Sequence, residues 1–176
     1  MTVPEAPLEQ TEHGLIPAGE GWFVLNAKDA RWNLEGTGQR LTFFEGDAER
    51  WQVGLNVSIL EPGQQMAMYH FEDEQEDFLV VSGDAIVIVE GEERPLRAWD
   101  LVHCPPGTKH VIVGAGTGPA ILVSVGSRGS EGPWGYPVDP VAARHDACAK
   151  EETTDSGVAY ERFAKRAPTP YEGWLP

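Results

Sequence analysis

From Val53 onward the chain is written in short apolar runs broken by glycine, proline and acidic residues, which is the texture of strands rather than of helices. The runs Leu55–Leu60, Met66–Glu72, Phe78–Val81, Ala85–Val89, Arg94–Ala98, Leu101–Cys104, His110–Val113 and Ile121–Val125 predict strands. Glu90-Gly91-Glu92 predicts a hairpin turn between Val89 and Arg94. Trp22–Leu25 and Leu41–Phe44 predict two further strands upstream. Closely spaced short strands of this kind predict a sandwich or a small barrel. After Gly126 the pattern changes. A Gly/Pro-rich connection from Gly129 to Pro140 leads to two segments of helical character, Val141–Lys150 and Ser156–Lys165, and then to an aromatic end, Tyr171–Pro176, that would pack on the β-domain or on a neighbouring subunit. Residues 1–20 are rich in Pro, Glu and Gly without periodicity and read as a loose arm. The expected organisation is an N-terminal arm over 1–20, a β-domain over 21–128, and a C-terminal extension over 129–176.

The candidate chemistry lies in two blocks of that β-domain. Alternate residues of a strand share a face, so Met66–Glu72 would place Met66, Met68, His70 and Glu72 together. That face runs from thioether to imidazole to carboxylate, as expected of a pocket with an apolar wall and a polar floor. Glu76 follows closely, and Pro105-x-Gly107-x-x-His110 supplies a second imidazole at the head of another predicted strand. Imidazole with carboxylate suits a divalent transition metal with open positions. Met66, Met68, Phe78 and Cys104 are the candidate pocket-lining residues, Cys104 otherwise being a small buried hydrophobe. His70, Glu72 and Glu76 would also serve as a hydrogen-bonded polar cluster without metal. Asp73, Glu74 and Asp77 read as a solvated turn, and His103 as an outward or interface residue.

These two blocks together resemble the motifs of the cupin superfamily. The usual first motif is Gly, five residues, His-x-His, three or four residues, Glu, six residues, Gly. Here His70-x-Glu72 stands at His-x-His, followed by Glu76 and Gly83, with Gly63 one residue further upstream than usual. The usual second motif begins with Gly and contains Pro-x-Gly-x-x-His, often with a later Asn. Trp99 occupies that Gly position and Gly114 that of the Asn. The resemblance implies an all-β fold, an antiparallel jelly-roll β-barrel, to which the sequence adds a short helical C-terminal extension. It implies one divalent ion per chain, Fe, Mn, Zn or Ni, with His70, Glu76 and His110 as ligands and Glu72 in the slot of the second histidine. It also implies a homodimer, and a stripe of Val87, Val89, Val111 and Val113 would supply an apolar outer face for it. A metal-dependent enzyme acting on a small organic molecule is the expected function, with Glu72 as general base when it does not bind the ion. Oxygenase, isomerase and hydrolytic chemistry all remain open, and the alternative is a non-catalytic binding or sensing module.

Composition narrows the partners. The net charge of −15 speaks against nucleic acid and anionic membranes, both of which require a basic surface. The 2 cysteines form no disulfide framework, the start of the chain has no apolar run of the kind expected of a secretory leader, and the aliphatic runs are too short to span a membrane. A cytoplasmic setting follows as the expectation.

Overall fold

A computed structural model describes residues 2–47, 52–129 and 131–176, so that Met1 in the arm and Ser130 in the extension lie outside the described residues. The protein is mostly antiparallel β-sheet with a small helical segment. A hairpin pairs β1 (Leu8–Thr11) with β2 (Gly14–Pro17). The large sheet is built from β3 (Trp32–Leu34), β4 (Arg40–Phe43), β5 (Val53–Leu60), β6 (Glu76–Ser82), β9 (Leu101–Cys104), β11 (Ala120–Ser127) and β12 (Ala167–Thr169). Its order is β12-β3-β4-β5-β11-β6-β9. The small sheet holds β7 (Asp84–Val89), β8 (Glu92–Arg97) and β10 (His110–Ala115) in the order β10-β7-β8. Two short helices, α1 (Pro140–Arg144) and α2 (Ser156–Ala159), complete the chain. Among the described residues no sheet closes on itself, so the expected closed barrel is replaced by two open sheets facing one another.

The core between those sheets is built by alternation. Leu60, Phe78, Val80 and Leu122 of the large sheet meet Ala85, Val87 and Ile112 of the small one. The opposite faces are not left to solvent. Val111, Val113 and Ile88 are covered by Tyr69 and by Ala142, Ala147 and Cys148 of the extension. Trp32, Ile59 and Ile121 are covered by Tyr171, Trp174 and Leu175, so the aromatic end packs back on its own chain.

This corrects the valine stripe. The register pairs His110 with Val89 and Ile112 with Val87, which turns Val87 and Val89 inward while Val111 and Val113 face the extension. The four valines therefore form no common exposed surface. The loose arm is also corrected in part by the β1–β2 hairpin, and the strand expected at Trp22–Leu25 is reduced to a single bridge from Trp22 to Glu5. The helices are shorter than their predicted segments. Asp139 caps α1 through the Val141 and Ala142 amides, and Asp155 caps α2 through Gly157.

Local geometry explains two departures from the motif. Trp99, in the slot of the leading Gly, has φ 75°, so the turn keeps the left-handed backbone that favours glycine. At the β7–β8 turn, Glu90 and Gly91 have φ 48° and 77°, the left-handed pair required by a tight hairpin turn.

Candidate metal centre

The predicted strand Met66–Glu72 is where the structure departs most from the sequence reading. The segment runs alongside β10 but touches it only through isolated bridges, Gln65 with Val113 and His70 with His110. The five steps from Gln65 to His70 match only three from His110 to Val113, so the segment bulges and strict alternation is lost. Met66 faces the cavity between the sheets, whereas Met68 is fully buried elsewhere, against Ala149 and Ala159. Other contacts hold the bulge in place. The Met68 amide donates to the Tyr160 hydroxyl at 3.0 Å, and the Tyr69 amide to the Ala147 carbonyl at 2.6 Å.

His70 leaves this segment, Glu76 opens β6 and His110 opens β10. One ligand atom from each lies within 4.8 Å of the others. Glu76 Oε2 is 3.2 Å from His110 Nε2 and 3.6 Å from His70 Nε2. The histidine orientations are fixed from behind. His70 Nδ1–H donates to the Met68 carbonyl at 2.8 Å, and His110 Nδ1–H to the Thr108 carbonyl at 3.0 Å. A carbonyl can only accept, so in the neutral rings both Nε2 atoms present lone pairs to the cluster. Glu76 Oε2 and His110 Nε2 are buried and, close as they are, share no well-formed hydrogen bond. Two lone pairs and a carboxylate oxygen converging in this way call for a proton or a cation between them. Metal-binding histidines commonly show this backing by a backbone carbonyl. The donor set therefore fits a divalent ion.

Glu72 stands beside the triad rather than within it, with Oε1 3.8 Å from His70 Nε2 and its side chain 37% exposed at the cavity wall. Burial and the neighbouring Glu76 carboxylate push the Glu72 pKa up. Glu76 is driven well below the carboxylate range: burial opposes this, but His110 and His70 outweigh it. Burial disfavours the His110 imidazolium, yet Cys104 and Glu76 favour it against His70, and its pKa is pushed up to about 9. His70 also rises, because Glu76, Glu72 and the Met68 carbonyl outweigh its burial.

The triad sits in a cavity of about 900 Å³. Met66 and Phe78 line it; Cys104 lies instead in the intersheet core, 1% exposed. Asp77 accepts from Gln75 and from the exposed His103, and so belongs to the surface. The sequence reading missed other parts of the wall, among them Asn56 and Ser124 from the large sheet and Tyr136, Tyr160 and Phe163 from the extension. Asn56 and Ser124 were within reach, since each is a polar residue inside an otherwise apolar strand. The tyrosines carry no such signal.

Residues 56–126 match the cupin-domain family model, so this segment of the chain is similar to a cupin domain. A structure described as a sugar phosphate isomerase of the cupin superfamily from Silicibacter pomeroyi is similar at 25% identity over 52% of this chain and 60% of that one, with a TM-score of 0.48. A putative sugar phosphate isomerase from Acidithiobacillus ferrooxidans is similar at 24% identity over 53% and 61%, with a TM-score of 0.49. An uncharacterized conserved protein with a double-stranded β-helix domain from Klebsiella pneumoniae is 30% identical over 50% and 76%, with a TM-score of 0.44. The chain thus spans about six tenths of the length of the first two. No curated protein matches it. Among the described residues no helix is long and apolar enough to cross a membrane.

Proposed function

We propose that this chain is a metal-dependent enzyme acting on a small organic molecule in the cavity. His70, Glu76 and His110 would hold one divalent ion, and Glu72 would move the proton. The observation that carries this reading is the convergence of the His70 and His110 Nε2 atoms on the Glu76 carboxylate, with His110 Nε2 and Glu76 Oε2 buried and without a hydrogen-bond partner. Two imidazoles and a carboxylate suit Fe, Mn, Zn or Ni and leave positions open. An ion so held supplies Lewis acidity to a substrate oxygen. His70 and His110, locked by backbone carbonyls, keep their orientation through the reaction. Glu72 is outside the triad, faces the cavity and has a raised proton affinity, which are the properties of a general base or acid next to a polarised substrate. Ligation by Glu72 as a fourth donor is the state this role excludes while substrate is bound.

In this proposal residues 21–128 act as the jelly-roll unit of the family, and 129–176 complete its cavity through Tyr136, Tyr160 and Phe163. A homodimer would use a surface other than the valine stripe. The β9 edge offers Trp99 and Leu101, 73% and 64% exposed, and sedimentation of Leu101→Lys beside wild type would show whether it does. The functional test is turnover of metal-loaded protein on isomerase, oxygenase and hydrolase substrates. Glu72→Gln should retain metal and lose activity by about a hundredfold, the usual contribution of a positioned acid or base. Full activity in that variant would remove Glu72 from the chemistry.

A further inference from the structure

The cavity walls differ in a way that the metal ligands do not require. Asn56 on β5 and Ser124 on β11 line one side of the space, and Thr37, in the turn before β4, lines it as well. Thr37 Oγ1, Asn56 Oδ1 and Ser124 Oγ are all buried without a hydrogen-bond partner. Ser124 is 8% exposed, and the register sets it directly across from Asn56. Nearby, the buried Gln39 and Ser58 satisfy one another at 2.9 Å, so the sheet can pair its polar groups where no ligand is needed. An unpaired buried polar atom costs about 1–3 kcal/mol, and three around one cavity are not retained for stability. The other side is aromatic. Tyr136 and Tyr160 meet edge to face with centroids 5.7 Å apart, and Phe163 continues the wall 6.2 Å from Tyr160.

Charge limits the guest further. A divalent ion would be balanced by Glu72 and Glu76, Glu35 is paired with Arg166 at 2.5 Å, and Glu161 with Lys150 at 2.8 Å. Lys165 also lines the cavity but is exposed to solvent, so the buried part of the interior is left close to neutral. We propose that the cavity binds a polyhydroxylated ligand of the sugar or sugar-alcohol class, uncharged at the end that enters. Its hydroxyls would meet Thr37, Asn56 and Ser124, and its C–H face would lie on the Tyr136–Phe163 wall. A molecule with alternating hydroxyl and C–H surfaces is what one polar and one aromatic wall select. A site built to bond hydroxyls also rejects the analogue that lacks them.

This deepens the proposed function by naming the substrate class of the same site. The test is calorimetric titration of Zn²⁺-loaded protein with D-ribose, D-xylose, D-glucose and xylitol, beside 1,5-pentanediol and hexanoate. At least one polyol should bind, whereas the sparsely hydroxylated pentanediol and the hydroxyl-free hexanoate should not. Ser124→Ala should weaken polyol binding about tenfold, the worth of one neutral hydrogen bond, with zinc content unchanged. Thr37→Val, in a turn, provides the same reading should Ser124→Ala fold poorly. No polyol binding to wild type, equal binding by the folded variants, or equal binding of pentanediol would overturn the proposal. If wild type takes up no zinc, the metal reading fails separately, and the same titrations on metal-free protein still decide the ligand class, because the hydroxyl wall lies outside the triad.

Discussion

Tyr160→Phe removes one oxygen and tests whether the extension positions the metal centre. The Tyr160 hydroxyl accepts the Met68 amide at 3.0 Å, and the Met68 carbonyl accepts His70 Nδ1–H at 2.8 Å. One peptide segment thus links the tail to the His70 imidazole. Phenylalanine keeps the ring packing against Tyr136 and Phe163 but strands the Met68 amide, and Met68 is 0% exposed. Water therefore has little access to the orphaned N–H, and the expected loss is about 1–3 kcal/mol. For a chain of this size that corresponds to a fall of roughly 2–10 °C in melting temperature. The bulge carrying His70 loses an anchor at the same time, so metal affinity should drop about tenfold, as for removal of a group that orients a ligand. Thermal or urea unfolding of metal-free protein measures the first effect, and competition with a chelator the second. A variant as stable as wild type, with the same metal affinity, would refute the idea that the tail fixes His70.

The pH dependence has a definite sign. In metal-free protein His110, raised from its ordinary 6.5 to about 9, contributes stability that is complete below pH 6.5 and lost as pH climbs through about 9. Glu76, depressed from 4.5, contributes stability present above pH 4.5 and lost as pH falls through its lowered value. A metal ion must displace the His110 proton, so the rise in melting temperature caused by Zn²⁺ should grow from pH 6.5 to 9, and a rise that shrinks would contradict the assignment. Deleting 129–176 uncovers Trp32, Ile59, Val111 and Val113, at about 1.5–3 kcal/mol for each large apolar side chain. The truncated chain should fail to fold, and a circular dichroism melt matching wild type would show that the tail is not part of the core. Glu72→His restores the usual motif and should bring a third imidazole to the ion, tightening Ni²⁺ or Zn²⁺ binding in a competition assay. An unchanged preference would keep position 72 out of contact with the metal.

The strands were legible where alternation is backed by length. Leu101–Cys104 matches β9, and β5, β6, β7, β10 and β11 lie within a residue or two of their predicted runs. The turn at Glu90-Gly91 was readable because a tight hairpin needs left-handed backbone there. Met66–Glu72 misled because its residues are strand-like in type while its partner in β10 is too short to pair with all of them. That places Met68 in a core the period-two rule could not foresee. His70, Glu76 and His110 were nameable because motif spacing is local, whereas Tyr136 and Tyr160 reach the cavity only through packing of the tail. The dimer argument from four valines failed for a related reason. Sequence gives the apolar character of Val111 and Val113, but not that Ala142 and Ala147 cover them.

The most direct test is metal content by mass spectrometry on tag-free wild type and His110→Ala, prepared side by side and after reconstitution with Fe²⁺, Mn²⁺, Zn²⁺ and Ni²⁺. The account predicts about one ion per wild-type chain and its loss in the variant, with both proteins folded. A wild type that takes up none of the four, or a variant that keeps the full complement, would contradict it.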